Sequence, residues 1–314
     1  ELAYNTYATS PGGVLNRDLE FLVTGGDKRF ATPDPAALKA ATPEEFRKVW
    51  EPLLKQGPIE VLVFGEFDKA KVTEQLRLTF GALAPRDAIP ADVAARVPGF
   101  APAADQPTVV THRGDANQAA AVVAWRSGGG TEELRTSRQL EILTQLFNNR
   151  LMDALRERAG ASYAPQVFSR WPADLETGGR ITAVAQLTPE TVPLFFAEAD
   201  KIAADLAANP PTADELARVT EPLAQLIRRA STGNQFWLYN MEGATEDPVR
   251  IGLLRSLLPD YSQTTPAAMQ GLAARYLTKD RIFRMAIIPE GQTLAQAMPS
   301  GADASAAQGT ARGR

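Results

Sequence analysis

The chain has no cysteine and only one histidine, His112, among its 314 residues. The first absence excludes disulfides, thiolate nucleophiles and cysteine-ligated zinc. The second leaves zinc hydrolysis, which draws on two or three histidines or a histidine–carboxylate set, without its ligands. A serine triad would have to take His112 as its base, and no G-x-S-x-G turn accompanies it. Neither a Walker loop nor a G-x-G-x-x-G fingerprint occurs. No run of about 18 apolar residues is present to span a bilayer. No signal peptide is visible either, but the chain opens at Glu1 in ELAYNTYATS and reads as a piece of a longer protein. Charge of one sign is also lacking: 33 Lys and Arg face 37 Asp and Glu, a net −4. That balance argues against nucleic acid as a partner, which calls for a basic surplus.

What is present is an ordinary globular composition, 44% hydrophobic and 22% charged. The length suits one or two domains. The first 35 residues carry the turn signals SPGG and ATPDP and are expected to be irregular. Thr42, Pro43 and Glu45 form a helix start with a capping box, and Phe46, Val49, Trp50, Leu53 and Leu54 form its apolar stripe. IEVLVFGEF is expected to be a buried strand, followed by a helix starting at Asp68. Residues 86–106, rich in Ala and Pro, are the expected linker between residues 1–85 and a second unit, 107–291.

That second unit opens with two strands around RGDAN, where turn chemistry explains the RGD triplet. A long helix from about Thr131 to Arg158 follows, its stripe formed by Leu140, Leu143, Phe147, Leu151 and Leu155. Strands are expected near 162–170 and 178–187. A helix then carries Val192, Phe195, Ala199, Ile202 and Leu206 inward, and Thr212 with Glu215 forms a second capping box. Pro222 is expected to kink that next helix. Further helices and a closing strand, RIFRMAIIP, complete an α+β pattern. His112 is expected to be a surface or strand-end residue. Residues 292–314, mostly Ala, Ser, Gly and Gln, are expected to form a disordered tail.

The stretch NNRLMDALRERAGASYAPQ carries a helix end, N-R-L-x-x-x-L-R-E-x-x-G-x-x-Y, that resembles the M16 zinc metallopeptidases (the pitrilysin, insulysin and processing-peptidase group). GPIEVLVFGEFDKAKVTEQLRLTFGALAPR resembles the end of an M16 domain, and NQFWLYNMEGATEDPVRIGLLRSLL…AARYL the late helices of bacterial members. The resemblance implies a mostly antiparallel sheet packed against helices, preceded by the end of a second similar domain. It also implies the C-terminal half of a peptidase whose N-terminal half carries H-x-x-E-H and Zn2+. This chain lacks that motif, so no cofactor is expected in it and the chain alone is expected to be inactive. Arg156 and Tyr163 match the arginine and tyrosine that many members extend toward the peptide. Arg156, in the last helical turn, also suits the helix dipole, and Tyr163 suits an ordinary strand. The implied partners are an N-terminal half or partner subunit and a peptide substrate, with a homodimer as the other assembly. The alternative role is a non-catalytic subunit for binding or assembly. A bacterial origin and the periplasm are the implied setting.

Overall fold

The computed structural model describes residues 1–94, 96–159 and 164–294. In chain order the elements begin with α1 (Leu2–Tyr7), α2 (Pro11–Val23), α3 (Pro35–Ala40), α4 (Pro43–Leu54), α5 (Lys69–Leu78) and α6 (Ala91–Ala94). The second stretch contains β1 (Thr108–His112), β2 (Ala119–Arg126), α7 (Leu134–Ala159), β3 (Gln166–Arg170) and β4 (Arg180–Leu187). It ends with α8 (Val192–Ala208), α9 (Ala213–Ala230), α10 (Asn234–Met241), α11 (Val249–Arg255), α12 (Leu257–Ser262), α13 (Pro266–Tyr276) and β5 (Ile282–Pro289).

The five strands form one sheet in the order β1-β5-β2-β4-β3. All neighbours run antiparallel except β1 and β5, which are parallel. The RGDAN turn therefore does not close a hairpin: β5 lies between β1 and β2. The composition of β2 and β5 explains their central place. Both are almost wholly apolar and buried on both faces, as central strands require. On one face Ala121, Val123, Trp125, Ile181 and Ala286 meet the stripes of α7, α8 and α13. Leu140, Leu143, Phe147, Leu151 and Leu155 are all buried there, each Leu worth about 1.5–3 kcal/mol relative to exposure. Trp125 meets Phe147 edge-on, with ring centroids 5.5 Å apart. The other face is covered by α2, through Val14 and Val23 against Ala120, Val122, Ala124 and Met285.

The amino terminus corrects the expectation of irregular chain. Ser10 and Pro11 are a helix start rather than a turn: the Ser10 hydroxyl accepts from the Gly13 amide and Pro11 opens α2. Helix α2 lies before the expected 86–106 division, yet it packs on the sheet that follows it. Both capping boxes are present, at Thr42/Glu45 and Thr212/Glu215. Helix α9 continues through Pro222.

The expected buried strand IEVLVFGEF is also corrected. Residues 59–64 form no ladder with any described residue, and Ile59, Val61, Val63 and Phe64 are exposed. A strand is stable only in a sheet, and the described residues offer this one no neighbour. Its fixed point is Glu60, whose carboxylate accepts from the Gly243 amide (2.6 Å), the Thr245 amide (3.1 Å) and the Thr245 hydroxyl (2.6 Å). The α4 stripe is exposed too: Phe46 is 62% and Trp50 47% accessible.

Candidate functional site

Helix α7 is the scaffold of the site. Its apolar face is anchored in the core, so its opposite face is held rigidly toward solvent. Buried polar groups fix it near the beginning. Arg138 donates to Asp260 of α12 at 2.6 Å and to the Ser256 hydroxyl at 3.2 Å, with both ionic side chains almost fully buried. Ser256 also donates to Asp260, at 2.9 Å. Beside them the Tyr261 hydroxyl donates to Glu141. Desolvation raises the Glu141 carboxyl despite that bond, and desolvation and the Glu141 charge push the Tyr261 phenol up.

Nearer its end, α7 is tied by Arg150, the arginine of the N-R-L motif. Its guanidinium donates to Asp205 of α8 at 2.6 Å and to Glu215 of α9 at 3.0 Å. Glu215 is also the capping-box residue of α9. One carboxylate thus closes the start of α9 and joins it to α7. Desolvation works against the Glu215 charge, but the Thr212 amide and Arg150 outweigh it and lower the carboxyl. Arg150 is therefore a positioning residue for everything further along α7.

Arg156 comes six residues after this tie, on the exposed side of α7. Its side chain has no hydrogen bond or ion pair with any described residue. A rigid helix thus carries an accessible guanidinium, suited to a carbonyl or carboxylate. Tyr163 and Gly160 lie outside the described residues, so the structure does not place the tyrosine relative to Arg156.

His112 ends β1, the strand-end place expected for it, and is buried there rather than at the surface. Nδ1 accepts from the Gly114 amide at 3.0 Å, and Nε2 lies 2.8 Å from the Gln118 carbonyl. Both ring nitrogens are engaged, and the ring holds the RGDAN turn. The remaining residues do not fit a metal either: among the described residues no three His, Cys, Asp or Glu side chains form a possible metal site. No described helix is long and apolar enough to cross a membrane.

A second basic feature has no local signal in the sequence. Arg126, Arg180 and Arg170 stand directly opposite one another on β2, β4 and β3. Glu20 of α2 pairs with Arg180 and lies 3.6 Å from Arg170. Arg126 and Arg170 end their strands, in VAWR and FSR, and Arg180 begins its own, after GG, but the strand order that aligns them is not visible locally.

The family described as Peptidase M16 inactive domain matches residues 40–223. The chain belongs to the M16 inactive-domain family. Its helix-covered sheet is similar to an M16 inactive domain from Pseudomonas fluorescens, with a TM-score of 0.73 and 15% identity over 94% of this chain and 68% of that one. It is also similar to a protease from Helicobacter pylori, with a TM-score of 0.69 and 15% identity over 92% of this chain and 70% of that one. A third similar structure is the periplasmic protease PqqL from Escherichia coli, with a TM-score of 0.56 and 15% identity over 72% of this chain. The match covers 25% of the PqqL chain. At these identities the likeness is one of fold. No curated protein sequence matches the chain.

Proposed function

We propose that this M16 inactive domain is the C-terminal, non-zinc-binding half of a bacterial peptidase. It closes a peptide chamber against a metal-bearing N-terminal half. The observation that carries this reading is Arg156: an exposed guanidinium on a helix whose other side is fixed by the core and by Arg150. In this role Arg156 anchors a carbonyl or carboxylate of the peptide. Tyr163, seven residues later, donates its hydroxyl to negative charge developing on the scissile carbonyl oxygen. Neither residue cleaves peptide alone, so catalysis awaits closure of the two halves.

The exposed stripe of α4 and the exposed apolar side chains of residues 59–64 support a partner as well. They are the end of a first domain whose sheet is supplied by the N-terminal half or by a partner subunit. A non-catalytic binding or assembly subunit would use the same surface, and the missing metal ligands in this chain suit that reading equally.

The test is reconstitution with the N-terminal half, followed by peptide-cleavage and zinc assays. Arg156→Ala and Tyr163→Phe should lower kcat/KM at least tenfold, the effect of one lost transition-state donor being roughly 10²–10³. Zinc content and thermal unfolding should stay unchanged. Unaltered turnover in both variants would exclude the active-site role, and a zinc-free, inactive assembly would establish the binding-subunit reading.

A further inference from the structure

The chain reverses direction after β5. The Glu290 amide donates to the His112 carbonyl at 2.8 Å, one residue past the parallel ladder of β5 with β1. The Gln292 amide then donates to the Pro289 carbonyl at 3.1 Å, and Gly291, at the third position of that turn, has φ 83°. A glycine takes this left-handed backbone without the strain of a Cβ. The Gln292 side chain donates to the Ala116 carbonyl at 3.1 Å, and Leu294 packs against the core under α7 and α8. The residues that follow β5 therefore stay on the sheet instead of leaving it.

Leu294 lines one wall of a groove of about 830 Å³ between α8 and the beginnings of β1 and β5. The apolar part of the groove is formed by Val109 of β1, Phe196 of α8 and Ile282 of β5, and Val109 is 46% exposed. Strand β1 is an edge of the sheet, with no described strand on its outer side, so alternate backbone groups along it are unpaired. The charged groups around the groove balance. Arg284 donates to Asp200 at 2.8 and 3.0 Å and to the Ala104 carbonyl at 3.2 Å, and Lys279 offsets Asp105. Such a groove favours an uncharged, partly apolar occupant.

The residues from 295 onward lie outside the described ones. Their sequence begins AQAMPSGA and is uncharged up to Asp303. The turn at Gly291 aims this segment back along β1: His112 lies beside the turn, and Val109 shares the groove with Leu294. Four residues in extended form cover about 13 Å. Met298 is the one large apolar side chain between 295 and 314, and an unbranched thioether adapts to an irregular gap. Pro299 has no amide proton to donate, so a ladder ends before it.

We propose that residues 295–298 fill this groove, running along the outer edge of β1 and laying Met298 over Phe196 and Val109. Tethered at Leu294, the segment reaches the groove at an effective concentration on the order of millimolar, which a free ligand of the same chemistry does not match. It also covers an edge strand that would otherwise be open to pairing with another chain. The inference does not depend on the chamber reading, because it concerns only this chain's own edge.

The test uses the 314-residue chain with methyl-labelled methionine, together with Met298→Asp, Met298→Leu and a chain ending at Leu294. In the parent, the methyl resonance that Met298→Leu removes should lie away from its free-peptide position and show a nuclear Overhauser contact with the Phe196 ring. The outward amides of β1, relative to those of β2, should exchange roughly tenfold faster in Met298→Asp and in the shortened chain than in the parent. Met298→Leu should keep their protection. A Met298 methyl at its free-peptide position with no contact to Phe196, or equal exchange of the β1 amides in all four chains, would overturn the proposal.

Discussion

Helices α4 and α8 start from the same kind of sequence and end in opposite environments. Each has an apolar stripe at helical spacing and a defined start. The stripe of α8 is buried against the sheet at Val192, Phe195, Ala199, Ile202 and Leu206. The stripe of α4, from Phe46 to Leu54, contains no buried residue. Amphipathicity encodes the need for a partner but not its identity. For α8 the partner is β2 and its neighbours. For α4 and residues 59–64 no described residue supplies one. The second region of the molecule thus buries its apolar stripes, and the region around residues 35–90 leaves its own exposed.

The sharpest way to break this contrast is to remove support from the complete region. Asp260→Ala leaves the buried Arg138 cation without its carboxylate and should cost about 3–5 kcal/mol in urea unfolding. A loss below about 1 kcal/mol would show that α7 does not depend on that pair.

A matched pair of truncations comes next. Leu151→Ala should destabilise by roughly 2–5 kcal/mol, whereas Trp50→Ala should stay within about 0.5 kcal/mol. Equal losses would mean that α4 is covered by this same chain in solution. If a partner half covers α4, its addition should make Trp50→Ala costly.

The smallest expected effect concerns the tie between the two regions. The Thr245 hydroxyl, then the Gly243 and Thr245 amides, hold Glu60 below its ordinary value of 4.5. A depressed acid contributes stability above its unfolded pKa, and the contribution disappears as pH falls through the folded value. Exchange of the Gly243 and Thr245 amides should therefore accelerate, relative to neighbouring amides, as pH drops from about 6 to below about 4. Glu60→Gln should abolish that dependence. A pH-independent ratio in the parent chain would mean that Glu60 does not hold the segment in solution.

The local features of the fold were legible where backbone chemistry decides them. Both capping boxes, the α7 and α8 stripes and the strands of the second unit could be read from residue order. Ser10-Pro11 was misread because the same dipeptide serves a turn and a helix start, and packing on the sheet selects the helix. IEVLVFGEF was misread because its composition specifies a buried strand while burial depends on a neighbour. In the candidate site, Arg156 was legible through the motif, but the role of Arg150 was not: its two carboxylates come from helices 55 and 65 residues away.

Residue order alone thus determined the family motif, the lack of cysteine and of an H-x-x-E-H motif, and the faces that seek burial. Those are properties of composition and of spacing within a few residues. Only the tertiary structure placed β5 between β1 and β2, aligned Arg126, Arg180 and Arg170 across three strands, and buried the sole histidine. It also showed which stripes found cover. Each of these depends on strand order and long-range packing, which bring together groups that no local pattern connects.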